Sequence, residues 1–286
     1  MEEKNRIQDG TLYLVGTPIG NLSDISERAK KVLSEVDFVA AEDTRNSLRL
    51  LSALGIRAEL ISYHEHNRRA SGERIVARLL SGESCALITD AGMPAISDPG
   101  EDIVRECAEA GITVSVIPGA CAAVSALAVS GLGTARFAFE GFLPVPKGER
   151  KKRLQAVERE TRTMIFYEAP HKLRGTLADM AEVFGADRKI SLCRELTKLN
   201  EEVERLSFAE AIKEYSEKEP RGEYVLVVEG YQGTVADGDA DGLSELTPEE
   251  HVARYEAEGM ARMDAIKRAA KDRGMTKSEL YKIINN

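Results

Sequence analysis

LYLVGTPIGNLSDISERAKKVL, Leu12 to Leu33, decides how the rest of the chain is read. An apolar run stops at a tight glycine-proline loop, and an amphipathic helical pattern follows at once. Ile25, Ala29, Val32, Leu33 and Val36 fall on one helix face, and Asp24 and Glu27 have capping-box spacing. Gly16 and Gly20 let a ligand approach the backbone closely, and the helix start beyond them favours anionic groups. The loop lacks Gly-Lys-Ser/Thr and is not Gly-x-Gly-x-x-Gly, so neither a Walker A nor a dinucleotide loop is indicated. Taken alone, GTPIGN reads as a turn.

The same alternation continues outward. VDFVAA, AELISY, SCALIT and TVSVIPG read as strands, several apolar throughout, as in strands covered on both faces. NRRASGERIVARLLSG and GEDIVRECAEAG read as helices stopped by glycine. Strand–helix alternation implies a mostly parallel sheet with helices on its faces. A second block starts near Phe137: RFAFEGFLP, a basic segment with a helix, TMIFYEAP, a helix from His171 to Phe184, KISLCRELT, a helix around Phe208 to Tyr215, and GEYVLVVEG. Its connections are shorter, so a mixed sheet is expected. The fold class is α/β, with one α/β domain over residues 1–120 and a second over 121–232, meeting near IPGACAAVSALAVSG. Residues 233–244, rich in Gly and Asp, read as a flexible linker. Residues 245–286 read as a tail of three short helices resembling a helix-turn-helix unit. Thr247/Glu250 and Thr276/Glu279 are its capping boxes, and Gly259 and Gly274 its helix stops.

Composition narrows the classes. No apolar run is long enough to span a bilayer, and the polar, acidic start MEEKNRIQDG reads as no secretory leader. Four scattered cysteines without a CxxC pair argue against zinc or a disulfide framework and suit a reducing cytoplasm. The net charge of −9 disfavours indiscriminate polyanion binding, but two segments are locally basic. One is KGERKKR, with Lys147, Arg150, Lys151, Lys152 and Arg153. The other is 261–286, with seven Lys/Arg against three Asp/Glu, where Lys277 and Lys282 are offered to phosphates. Both are RNA-contact candidates. The alternatives are a solvated loop and helix start for the first, and a cap packed on a neighbouring subunit for the second.

TDAGMPAISDPG (89–100) and IPGACAAVSALAVSG (117–131) repeat the opening pattern, with small residues clustered at strand ends. Each loop alone is explained by close helix–sheet packing. Three at equivalent strand ends point to a ligand crevice at the carboxyl edge of an open sheet.

LYLVGTPIGNLSDIS, AAEDTRNS, LITDAGMPAISDPG, VIPGACAAVSALAVSG, FYEAPHKL and GEYVLVVEG resemble the tetrapyrrole methylase superfamily, and within it the branch that methylates small-subunit ribosomal RNA. The likeness runs from about Leu12 to Gly230, and the helical tail also resembles that branch. It implies S-adenosylmethionine in a cleft between two α/β domains, and a homodimer. It also implies 2′-O-methylation of a cytidine ribose in the decoding region of 16S RNA, free or in the 30S subunit. By this resemblance Pro18, Ala91, Gly92, Met93, Ile96, Cys121, Ala122, Glu168, Ala169 and Leu196 bind the cofactor. Porphyrin-methylating members carry Gly-x-Gly-Pro-Gly-Asp in the first loop and Gly-Asp-Pro in the second. Here the loops are GTPIGN and Ala91-Gly92-Met93-Pro94, which weighs against a tetrapyrrole substrate. A tetrapyrrole C-methyltransferase and a non-catalytic nucleic-acid-binding protein are the competing readings.

Methyl transfer is an in-line displacement, so positioning carries much of the rate, and a ribose hydroxyl needs a proton acceptor. Asp43 is a candidate base or the N-cap of the next helix; Arg45 is a phosphate clamp or the ion-pair partner of Asp43. His64 and His66 follow a strand and suit acid–base work near neutrality, but their spacing makes no metal site. Glu195, with Glu168 and Lys198, is a candidate from the second domain.

Overall fold

The computed structural model describes residues 6–233, 246–257, 259–273 and 275–284. Its first half runs β1 (Thr11–Val15), α1 (Glu27–Glu35), β2 (Phe38–Ala41), α2 (Thr44–Ala53), β3 (Glu59–Ser62), α3 (Arg68–Leu80), β4 (Cys85–Ile88), α4 (Glu101–Glu109) and β5 (Thr113–Ile117), followed by α5 (Ala122–Val129). The five strands form one sheet in the order β3-β2-β4-β1-β5, every pair parallel. Two hydrophobic clusters cover its faces, one around Leu33, Val39 and Ile88, the other around Phe38, Ile75 and Leu87. This two-sided burial explains why FVAA and CALI are apolar at every position. All five strands end on one edge, and β4, β1 and β5 are neighbours. The three small-residue loops therefore leave the sheet side by side.

Helix α1 buries Ala29, Val32 and Leu33, and Ile25 and Val36 flanking it are also buried. Its cap differs from the expected one. Ser26 is the N-cap and accepts from the Ala29 amide at 3.1 Å, while Asp24 closes a short 3-10 turn that Asn21 caps. The tight turn uses up Asn21–Asp24, so the helix starts only after Ser26.

The second half contains β6 (Phe137–Phe142), α6 (Lys147–Ala156), β7 (Thr163–Glu168), α7 (Leu173–Phe184), β8 (Lys189–Arg194), β9 (Glu202–Ser207), α8 (Phe208–Glu217) and β10 (Tyr224–Val228). Its sheet runs β6-β7-β10-β8-β9; β6 and β7 are parallel and all other pairs antiparallel. Strand β9 was not among the expected strands. EVERLS is an edge strand, and its charges are used locally: Glu202 pairs with Arg194 at 2.9 Å, and Glu204 with Lys218 at 2.5 Å. Charged edge strands have little apolar signal and resist further pairing. A 3-10 turn over Pro170–Lys172 precedes α7, so the helix begins at Leu173 rather than His171.

Helix α5 follows β5 directly yet packs on β7 and β10, where Ala123, Ala126 and Leu127 join Ile165, Val225 and Val227. The chain thus passes from the first sheet to the second through Pro118–Cys121.

Tyr231–Asn286 forms a separate compact unit. Its described helices are α9 (Pro248–Ala257), α10 (Arg262–Asp272) and α11 (Lys277–Ile284), packed around Val252, Ile266, Ala269 and Leu280. Both capping boxes are formed: the Thr247 amide donates to Glu250 at 2.8 Å, and the Thr276 amide to Glu279 at 2.7 Å. Gly259 takes φ +92° just past α9. The linker expected at 233–244 lies outside the described residues except for Gly233, as does the helix stop expected at Gly274. No helix among the described residues is long and apolar enough to cross a membrane.

Candidate active site

The three loops are joined to each other. The Gly16 amide donates to the Ile117 carbonyl at 3.0 Å, Thr17 and Gly92 exchange backbone hydrogen bonds at 2.9 and 3.2 Å, and the Thr17 hydroxyl donates to the Thr89 carbonyl at 3.2 Å. A Cβ on Gly16 would lie 2.7 Å from both Cα and N of Gly119, and the reverse substitution is equally blocked. Glycine is needed at both positions because two backbones touch there.

Beside this junction lies a cavity of about 510 Å³, of the size and apolar character of a small-molecule site. The first half supplies Ala91, Gly92, Met93 and Ile96 from the loop after β4, and Cys121 and Ala122 from the start of α5. The second half supplies Glu168 and Ala169 at the end of β7, and Leu196 beyond β8. Nine of the ten residues assigned to the cofactor by resemblance therefore line one cavity. Pro18 is not among its lining residues; its neighbour Ile19 is. Asp98, Phe142 and Tyr167 also line it and were not singled out in the sequence. The usable signal for Asp98 was SDPG, an acid inside a glycine-proline loop that also carries Ile96.

Glu168 is 5% exposed and fully engaged: its carboxylate accepts from the Ala169 amide at 2.8 Å and from the Thr176 hydroxyl. Tyr167 is held by the Ala123 amide, which donates to its hydroxyl at 3.2 Å, and burial pushes its pKa up to about 12. The four non-glycine residues with positive φ among those described are Ala95 (68°), Ser97 (62°), Glu195 (52°) and Thr197 (66°). They sit in two loops, one from each half, that supply cavity residues. Unfavourable backbone concentrated in this way is typical of ligand sites. Buried polar atoms without a partner among the described residues include the Thr89 and Thr197 hydroxyls.

The field around the cavity is acidic. Burial, reinforced by Glu42 and Asp90, pushes Asp98 up to about 6. Asp98 and Ser97 also line an adjoining cavity of about 410 Å³, with Glu42, Glu65, Glu101 and Asp102 and one cation, Arg68. Burial also raises Glu42.

Of the catalytic candidates, Glu195, Glu168 and Lys198 line the main cavity, while Asp43, Arg45 and His64 do not; Glu195 is tied to Lys198. The Glu195 carboxylate accepts from Lys198 Nζ and is held below the usual range by it. Lys198 also pairs with Glu223 at 2.8 Å, and a Cβ on Gly20 would strike its side chain at 2.4 Å, so the second-half loop rests on the first loop. Asp43 and Arg45 are elsewhere, bonded to each other. Asp43 caps α2 through the Arg45 amide at 2.8 Å and takes the guanidinium at 2.6 Å, which holds its pKa far below the usual range. Such a carboxylate is a weak proton acceptor. His64 does not line the main cavity either; its Nδ1 is buried without a partner among the described residues, and its ring meets that of His66 edge-on at 6.0 Å.

The basic segment forms helix α6 rather than an open loop, and four of its five cations are paired. Arg150 meets the buried Asp179 at 2.6 Å, Lys147 reaches the same carboxylate at 3.8 Å, Lys151 meets Glu182 at 2.6 Å, and Arg153 meets Glu140. Lys152 is exposed. In the tail, Lys277 and Lys282 are exposed on α11.

The family model of the Tetrapyrrole (Corrin/Porphyrin) Methylases matches residues 11–212. The chain belongs to the tetrapyrrole methylase family. Among curated relatives of this methylase, the Ribosomal RNA small subunit methyltransferase I of Halalkalibacterium halodurans is 46% identical over 98% of this chain and 96% of its own. The protein of that name from Bacillus subtilis is 47% identical over 95% of this chain and 93% of its own. Among solved structures, a Thermus thermophilus uroporphyrin-III-C-methyltransferase covers 77% of this chain and 94% of its own at TM-score 0.53 and 24% identity. A diphthine synthase covers 77% of this chain and 90% of its own at TM-score 0.59 and 16% identity. These two likenesses are of fold. The methylase fold thus accounts for both sheets and for the cleft between them.

Proposed function

We propose that this methylase uses S-adenosylmethionine to methylate the ribose 2′-oxygen of a cytidine in small-subunit ribosomal RNA. The observation that carries the reading is the joint one: a chain 46% identical, end to end, to a ribosomal RNA small subunit methyltransferase I, with one apolar cavity where three small-residue loops meet the second half. The residues present fit the cofactor. Backbone-lined loops admit a flat ring, and the carboxylates of Asp98 and Glu195 suit a cationic ligand.

Bound there, S-adenosylmethionine supplies an electrophilic methyl carbon on a sulfonium. The chain's part is positioning and exclusion of water. Met93, Tyr167 and Leu196 wall the cavity with apolar surface, and the Gly16–Gly119 contact and the Thr17–Gly92 hydrogen bonds fix the three first-half loops beside them. The acidic neighbour cavity, with Arg68 its one cation, would repel the carboxylates of a tetrapyrrole acid, while a sugar and its base are uncharged. The phosphates of an RNA strand would stay outside it, where exposed cations such as Lys152 can meet them.

On this reading the protein works in the cytoplasm on the small subunit, as a homodimer. Val116 on edge strand β5 and Val124 and Val129 on α5 offer exposed apolar surface for a second copy. The deciding experiment supplies labelled S-adenosylmethionine and small subunits from cells lacking the protein, then maps the label by nuclease digestion and mass analysis. Label on one cytidine ribose is expected. Label in a porphyrinoid extract instead, or none in RNA, overturns the proposal.

A further inference from the structure

We propose that Phe142 is the platform on which the target nucleotide's base stacks while its sugar is methylated. The assignment rests on the RNA-methylating reading above and specifies how that substrate is held. Phe142 lines the main cavity yet is 59% exposed. A large aromatic ring left half in water at the rim of an apolar cavity is a surface prepared for a partner.

The chain makes a local irregularity to place this ring. Strand β6 pairs with β7 as Phe139 with Ile165, then Gly141 with Phe166 and Phe142 with Tyr167, so Glu140 is an extra residue in the ladder. In a regular strand, residues three apart point to opposite faces. The bulge moves Phe142 onto the face of Phe139. Both rings then meet Tyr167 edge-on, at 5.1 Å for Phe139 and 5.4 Å for Phe142. Tyr167 is itself fixed by the Ala123 amide at the start of α5. The ring of Phe142 is therefore held on one side and open on the other.

The bulge also sets Phe142 against the first half. Gly141 takes φ +64°, and a Cβ there would come 3.1 Å from the hydroxyl oxygen of Ser97. Ser97 follows Ile96, which is 47% exposed and lines the same cavity. Ile96 and Phe142 are the large exposed apolar side chains of this wall among the described residues, and they come from opposite halves.

The occupant follows from the reaction. A ribose in a folded RNA reaches a cavity only when its nucleotide is splayed out, which strips the base of its stacking neighbours. An aromatic face at the cavity rim replaces one of them. Stacking tolerates any base, so this contact contributes holding rather than reading of the base.

The test compares F142A, F142L and F142W with the unaltered protein on small subunits from cells lacking it, with S-adenosylmethionine affinity measured separately by calorimetry. The side chain is exposed, so all three are expected to fold, and melting temperature checks this. F142A should lower kcat/KM by roughly five- to a hundredfold, chiefly through KM for the subunit. Cofactor affinity should stay within about twofold, because stacking acts on the substrate side. F142W should restore most of the activity, and F142L, apolar without a π face, should not. An unchanged KM in F142A, or full activity in F142L, overturns the assignment. A parallel loss of cofactor affinity overturns it too and gives the ring to the cofactor wall. If the unaltered protein methylates no RNA, the parent reading falls and the stacking role with it. An active protein indifferent to F142A removes the stacking role alone.

Discussion

The two halves of Met1–Gly230 build one cavity by different means. The first half is an all-parallel sheet, so every strand delivers its following loop to the same edge, and three loops meet there without special devices. The second half is largely antiparallel, with strand ends on both edges, and reaches the cavity through particular distortions: the β6 bulge and the turn at Glu195–Lys198. A parallel sheet gathers loops by topology, while a mixed one must aim individual residues.

If the first half acts as a backbone cradle, its weakest point is the contact between Gly16 and Gly119. G119A places a Cβ 2.8 Å from the Gly16 backbone, which cannot move aside cheaply. It should abolish cofactor binding measurable by calorimetry and lower activity about a hundredfold or more. A G119A protein that binds normally would show that the cradle is not the site.

Asp98 tests the acidic field of the same half. D98N should weaken S-adenosylmethionine binding roughly tenfold at pH 8 and have little effect at pH 5, where the native carboxyl is also largely protonated. Its stability effect has the opposite sign. Folding raises Asp98 from 3.8 to about 6, so between those values the folded protein keeps a proton that the unfolded chain has lost. That contribution is complete below about 3.8 and disappears as pH rises through about 6. Unliganded D98N should therefore be more stable than the parent at pH 7, by on the order of 1 kcal/mol once partial solvent exposure is allowed for. Denaturant melts at pH 4 and pH 7 give the comparison.

In the second half, the buried pair of Thr176 and Glu168 takes the place of backbone stitching. T176V leaves a buried carboxylate oxygen without its donor and should cost about 1–3 kcal/mol in urea unfolding. Cofactor affinity should fall with it, because Ala169, which is bonded to Glu168, lines the cavity. The smallest effect is expected at Arg45. R45Q breaks an exposed ion pair and should leave the melting temperature nearly unchanged. A large loss of kcat in R45Q or D43N would return that pair to the chemistry.

The contrast between the halves also explains what could be read in advance. The strands of the first sheet are apolar runs because both faces are covered, and the residue period exposes them directly. Strand β9 escaped because its glutamates pair with Arg194 and Lys218 instead of packing. The small-residue loops were legible as a pattern, and resemblance carried the rest of the wall. Phe142 and Tyr167 were not legible, and Asp98 only as an acid in the SDPG loop. Their importance comes from a burial-raised carboxyl, a bulge and an edge-on ring contact, none of which leaves a period in the sequence. Asp43 and Arg45 form the N-cap and ion pair that the sequence reading set beside the catalytic one: an acid and a base two residues apart satisfy each other as readily as they serve a substrate.

The passage through Pro118–Cys121 has a mechanical meaning. Strand β5 belongs to one sheet and α5 packs on the other, and Cys121, the last of the residues between them, lines the cavity. The crossover between the sheets and the cavity wall thus share one piece of chain. Any molecule seated there touches both sheets' loops at once, so occupancy should raise the melting temperature of Met1–Gly230 as a whole.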